Sequence, residues 1–308
     1  MVKSFDILGL GCVCVDDLLY VPGAFPAADT KIRVLNWDRQ CGGLTGTALV
    51  AAARLGARCA FAGLLGFDDL TRIVEENFLR EGVDISFAPH AKDAPAPHAV
   101  IIVAADTGTR NIFYRIDGRM GADDHLPEES VIRSARILFL DQYGMTGSLR
   151  AATIARSAGI PIVADFEDSS DPQFPAMFRL VDHVILPYEL AVKITGETDP
   201  AAAANAVRHA DCQAVVVTSG TAGSWFLGKD GGVRHQPAFK VPALDTTGCG
   251  DVFHGAYAAA LVQGAPLSDC VRLATAAAGL KATQPGGQRG IPTKSEVETF
   301  LRSDPATY

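Results

Sequence analysis

Asp245-Thr246-Thr247-Gly248-Cys249-Gly250-Asp251-Val252-Phe253-His254-Gly255 is a hydroxyl-rich turn with two closely spaced glycines that runs straight into an alanine-rich apolar stretch ending near Leu261. The apolar stretch is long enough for a buried helix. That places Gly248, Cys249 and Gly250 at a helix N-terminus, where unpaired backbone N–H groups and the helix dipole attract an anion and glycine lets the backbone approach it. Asp251, in the first turn, would repel a phosphate. It is well placed, however, to take a proton from a hydroxyl attacking one. A lone Gly-x-Gly would read as a turn capped by an aspartate; the whole string favours phosphoryl transfer.

The chain has 308 residues, 48% hydrophobic and 20% charged, enough for one large α/β domain or two small ones. Its net charge of −8 is spread along the sequence without a basic stripe, so nucleic acid is not an expected partner. The seven cysteines (Cys12, Cys14, Cys41, Cys59, Cys212, Cys249, Cys270) lack paired metal spacing. Cys12 and Cys14 fall one residue apart in an expected strand and so on one face of it, which argues against a zinc or redox motif. Scattered thiols suit the reducing cytoplasm. No apolar run reaches the length of a membrane span, and none at the amino terminus reads as a signal.

The first strand is expected from Phe5 through Val15, with Asp16 and Asp17 at its carboxyl end, a common place for a ligand contact in an α/β sheet. Residues 18–40 hold short apolar runs broken by Pro22, Gly23 and Pro26, which suits a small β-element outside the main sheet. A second such element is expected over 98–103 and 110–115, joined by the turn Asp106-Thr107-Gly108-Thr109. Between them, Cys41-Gly42-Gly43 opens a helix that ends at Gly56. A helix is expected from Thr71 to Arg80. From about 130 onward strands and helices alternate: strands at 137–140, 161–165, 184–186 and 214–218, helices at 149–158 and 201–207. This pattern argues for βαβ units with helices on both sheet faces. No linker or repeat interrupts it, so 1–308 reads as a single domain with an inserted lid.

The opening string resembles the carboxy-terminal signature Asp-Thr-x-Gly-Ala-Gly-Asp of the ribokinase or PfkB family of carbohydrate kinases, with Cys249 in place of the usual alanine. The last quarter, including Gly279-Leu280-Lys281-Ala282-Thr283-Gln284-Pro285-Gly286-Gly287, is similar to the bacterial sulfofructose kinase branch. The resemblance implies a ribokinase-like fold: a doubly wound, mostly parallel sheet with helices on both faces and a small β-lid formed by about 14–40 and 98–118. It makes Asp251 the catalytic base and the amides of Gly248, Cys249 and Gly250 the anion hole. Asp16, Gly42 and Gly43 would hold the sugar, with Thr47 where the family usually has asparagine. Thr218, Gly220 and Gly223 would approach ATP, although Thr218–Gly223 also reads as a plain strand-to-strand turn.

Magnesium is expected with the ATP. The family's Asn-x-x-Glu is missing at Pro187-Tyr188-Glu189-Leu190, which leaves Glu189 as the nearest candidate for the metal. Asp245 and Thr247, with carbonyls near Gly286, would be the ligands of a monovalent cation such as K+; a structural turn accounts for them equally well. An anionic substituent on the sugar would need lid cations, Arg110 among them. Tyr143, at the end of a sheet strand, offers only a ring and a hydroxyl, which favours a neutral sugar over sulfofructose. The reading is an ATP-dependent sugar kinase acting on a primary hydroxyl. A nucleoside kinase, with Phe113 and Tyr143 as a base clamp, and a sugar-sensing protein without turnover are the alternatives. Lid strands with an exposed edge suggest a homodimer.

Overall fold

The computed structural model describes residues 3–106, 109–229 and 231–303; Thr107 and Gly108 of the expected lid turn lie outside them. Among the described residues the strands are β1 (Phe5–Leu10), β2 (Cys14–Val21), β3 (Asn36–Gly42), β4 (Cys59–Phe61), β5 (His98–Ala104), β6 (Arg110–Arg115), β7 (Ala135–Asp141), β8 (Ile162–Asp165), β9 (His183–Pro187), β10 (Ala214–Thr218), β11 (Ser224–Gly228) and β12 (Arg234–Gln236). Eight form the main sheet in the order β12-β11-β10-β9-β8-β7-β1-β4. The strands from β10 to β4 run parallel, and β11 and β12 close one edge antiparallel. The remaining four make the lid sheet, β3-β2-β5-β6.

Alternate residues of each central strand go to opposite faces. Ile7, Ile137, Phe139, Val163, Ile185 and Val216 pack on one side against the helices Leu44–Arg54, Cys249–Val262 and Leu267–Ala282. Leu8, Leu138, Ile162, Val184 and Val217 pack on the other, against the helix Met145–Ser157 and its neighbours. A sheet buried on both faces explains why these strands read as unbroken β-branched and leucine runs.

The long first strand expected from Phe5 to Val15 is in fact two. β1 ends at Leu10 in the main sheet, and β2 starts at Cys14 in the lid. Gly11 has no room for a side chain, because a Cβ there would lie 2.0 Å from Thr45 Oγ1 and 2.2 Å from Asp141 Oδ2. The chain changes sheets at this crowded point, so Cys12 sits between strands and shares no strand face with Cys14. Asp16 and Asp17 consequently lie within the lid strand rather than beyond the end of a sheet strand.

Two helices that open toward the same cleft touch with no side chain between them. A Cβ on Gly255 would stand 2.1 Å from the Ala48 carbonyl oxygen and 2.8 Å from its carbon. Backbone cannot yield as a flexible side chain does. Gly255→Ala should therefore lower stability by about 1–3 kcal/mol, seen in urea unfolding as a lower midpoint at unchanged slope.

Candidate active site

Gly248 caps the helix Cys249–Val262 with φ 74, a left-handed conformation that glycine adopts without strain. The turn closes through Val252 N–H donating to Gly248 O (2.9 Å), while Cys249 N–H donates to Thr246 O (3.2 Å). The amides of Gly248 and Gly250 have no backbone acceptor among the described residues, which leaves them to an anion at the positive end of the helix dipole.

Asp251 follows in the first turn. Burial, then the negative charges of Asp165, Glu167 and Asp16, hold its carboxyl well above the ordinary range. Four acids thus converge where the anion hole begins. Asp16, 8% exposed on β2, faces Gly42 so closely that a Cβ there would meet Asp16 Oδ2 at 2.4 Å. The Cys14 thiol donates to Asp16 Oδ1 (3.2 Å). Gly43 caps the helix Leu44–Arg54 with φ 88, and a Cβ on it would lie 2.6 Å from Val13 Cα. The structure therefore brings Asp16, Gly42 and Gly43 together beside a second helix N-terminus. Asp17, on the other face of β2, is bound away by Arg39, His98 and Trp37.

Other expected ligands have different partners. Thr47 is buried, and its hydroxyl accepts from Gln288 Nε2 (3.3 Å), which in turn is held by Asn77. Tyr143 is half-buried after β7; its N–H donates to Asp141 Oδ1 (2.9 Å), and burial pushes its phenol up to about 12. Arg110 reaches from the lid across to Thr246, donating to its hydroxyl at 3.1 Å. Lid and anion-hole loop thus meet. Thr218 ends β10 with its hydroxyl toward Leu186 O (3.4 Å). Gly220 begins a short 3-10 turn, and Gly223 packs with no space for a Cβ against Gln236 O (2.2 Å). That loop is also the turn of the β10–β11 hairpin. Glu189 is exposed in the first turn of the helix Tyr188–Thr195. Among the described residues no group of three His, Cys, Asp or Glu side chains is arranged to hold a metal ion.

Four residues that the sequence reading passed over shape the site. Asp165 ends β8 fully buried, and Glu167 stands two residues on with its surface exposed. His254, one helical turn after Asp251, places Nδ1 3.2 Å from Asp165 Oδ2 and 2.8 Å from Gly250 O, with Nε2 3.2 Å from Ile185 O. Burial raises the Asp165 carboxyl and lowers the His254 imidazole, disfavouring the charged form of each behind the Gly248–Asp251 turn. An acid closing a parallel strand was the available signal for Asp165, the same one that drew attention to Asp16. Asp141 is the fourth: buried, pushed up to about 6 by burial, and accepting from Cys12 N (2.7 Å), Thr45 Oγ1 (2.8 Å) and Tyr143 N (2.9 Å). It ties the sheet-to-lid crossover to the helix that carries Gly43.

With two glycine-opened helices, an acid in the first turn of one and a lid sheet above them, comparison with known proteins is decisive. Residues 10–294 match the pfkB family carbohydrate kinases. This chain belongs to that family. It is 28% identical to the ribokinase of Haemophilus influenzae, over 95% of this chain and 97% of that one. Its fold superposes on the Thermotoga maritima ribokinase with a TM-score of 0.82 at 26% identity, covering 97% of this chain and 100% of that one. On the Arabidopsis thaliana ribokinase, solved with ribose and ATP, the TM-score is 0.84 at 22% identity, covering 99% and 100%. As a member of the pfkB family it is an ATP-dependent carbohydrate kinase with a ribokinase-like fold.

Two outcomes follow from the local geometry. The Cys249 thiol points to Ala278 O (3.5 Å), and burial pushes it up to about 11, so it is a neutral thiol rather than a reactive thiolate. Cys249→Ala should leave kcat/KM within about twofold of the parent and remove little stability. Glu167→Gln takes one negative charge from beside Asp251. Because a nearby negative charge raises a carboxyl's pKa, its removal should move the acidic limb of the kcat/KM–pH profile to lower pH. A limb that stays in place would show that Glu167 does not act on Asp251.

Proposed function

We propose that this kinase transfers the γ-phosphoryl group of ATP to a primary hydroxyl of a neutral sugar or sugar derivative, with Asp251 as the base. The observation that supports it most directly is the facing of Asp251 and the Gly248–Gly250 turn by Asp16, Gly42 and Gly43. Asp16 and the amides at Gly42 and Gly43 orient the acceptor. Asp251, once ionised, accepts the hydroxyl proton as the oxygen attacks. The amides of Gly248 and Gly250, together with the helix dipole, stabilise charge on the transferring group. Thr218, Gly220 and Gly223 line the nucleotide side. Magnesium arriving with ATP would offset the phosphate charge. Glu167, exposed at the acid cluster, fits its water shell better than Glu189, which is exposed on the helix Tyr188–Thr195.

A neutral acceptor is favoured over sulfofructose because the cleft is acidic and three of the lid arginines are engaged elsewhere. Arg39 is held by Asp17, Arg115 by Asp117, and Arg119 by Asp93 and Asp123. Arg110 is the lid arginine that reaches the site, on Thr246. A nucleoside is the second reading, supported by the exposed lid pair Phe25 and Phe113, with ring centroids 6.1 Å apart. We also propose a homodimer through the lid, whose edge strand β6 is exposed throughout and carries Ile112, Phe113 and Tyr114. Seven free cysteines suit the cytoplasm, and no helix among the described residues is long and apolar enough to cross a membrane.

The test is ADP release from Mg-ATP against ketoses, aldoses, sugar acids, sulfofructose and nucleosides. Asp251→Asn should keep ADP affinity and lower kcat on the best acceptor by at least about a hundredfold. An unchanged rate would remove Asp251 from the mechanism. A best acceptor that is a nucleoside or a sulfonate would replace the neutral-sugar assignment.

A further inference from the structure

Family resemblance implies a monovalent cation beside Asp245 and Thr247, near Gly286. The residues present do not fit one. Asp245 Oδ1 accepts from Thr247 N–H (2.8 Å) and Oδ2 from Gly286 N–H (2.7 Å), so both carboxylate oxygens brace the loop. The Asp245 carbonyl oxygen accepts from Lys281 Nζ at 2.8 Å, so an ammonium already occupies the cation side of this loop. Lys281 is 0% exposed, a lysine within the otherwise small and apolar last turns of the helix Leu267–Ala282.

A fully buried ammonium demands compensation. Here the negative charges of Asp245 and Asp251 and the negative end of its own helix favour the ammonium, against burial and the positive charge of Arg110. A second positive charge held in contact with this loop would be repelled by the ammonium in a poorly screened interior. A potassium ion and this ammonium therefore exclude each other.

We infer that Lys281 is a tethered substitute for the monovalent cation, and that this kinase works without potassium. The ammonium fixes the Asp245 carbonyl, and the loop from Thr246 to Gly250, whose amides face the phosphoryl group, starts from that fixed peptide. The inference rests on the reading of Gly248–Asp251 as the phosphoryl site, but not on which acceptor is used.

The experiment replaces tetramethylammonium chloride by potassium chloride at constant ionic strength and reads three quantities: ADP affinity by calorimetry, melting temperature, and kcat/KM with the best acceptor. For the native protein all three should be unchanged. Lys281→Ala should lose roughly tenfold or more in kcat/KM without potassium, together with weaker ADP binding and a lower melting temperature. Potassium or ammonium ions, but not tetramethylammonium, should restore them by entering the vacated space. Activation of the native protein by potassium would overturn the inference. So would a folded Lys281→Ala that keeps full activity without potassium, or one that neither potassium nor ammonium rescues. Should Lys281→Ala fail to fold, the native titration decides alone. Absence of turnover on every acceptor would strike the proposed function, while ADP affinity and melting would still report on the cation.

Discussion

Everything in the cleft depends on the contact between Gly255 and the Ala48 carbonyl. It lets the helices Leu44–Arg54 and Cys249–Val262 approach to backbone distance, so that two N-termini open side by side. One presents Gly43 and the other the turn from Gly248 to Asp251. The partial positive charges of the two ends then act on neighbouring points in space, where, on the proposed reading, acceptor and phosphoryl group meet. A bulkier residue at 255 would separate the ends and lengthen the distance the hydroxyl must cover. The alanine-rich sequence of both helices follows from the same requirement, since small side chains permit this approach along their length.

Much of this architecture is legible in the chain. Buried parallel strands announce themselves by apolar runs such as Val215-Val216-Val217, and the Gly248–Asp251 turn carries its chemistry in consecutive residues. The break at Gly11 was not legible, because Leu10 through Val15 is apolar on both sides of it. The crowding that forces the change of sheet comes from Thr45 and Asp141, which are remote in sequence. Thr47 shows the same limit from the other side: its motif position suggested the sugar, and its partner, Gln288, comes from the far end of the chain. Lys281 lay inside a stretch read for its overall likeness. A single buried cation has no periodicity to betray it.

The electrostatics of the cleft are unusual in their one-sidedness. Asp16, Asp165, Glu167 and Asp251 bring negative charge to a place that must receive a polyanionic nucleotide. The positive elements are mostly not side chains but helix ends, together with Arg110 at Thr246 and Lys281 beneath the loop. Burial disfavours the charged forms of both Asp165 and His254, which lightens the load. Because these carboxyls are held above their ordinary range, their protonation is linked to the binding of any charged ligand beside them.

Asp16 belongs to β2, a strand of the lid, whereas Asp251 belongs to the body. On the proposed reading, the carboxylate that grips the sugar is carried by the cover itself. Lifting the cover withdraws the grip in the same movement, so letting solvent in and letting the product go are one event. The chain needs no separate latch, and a sugar that fails to reach Asp16 fails to hold the door shut.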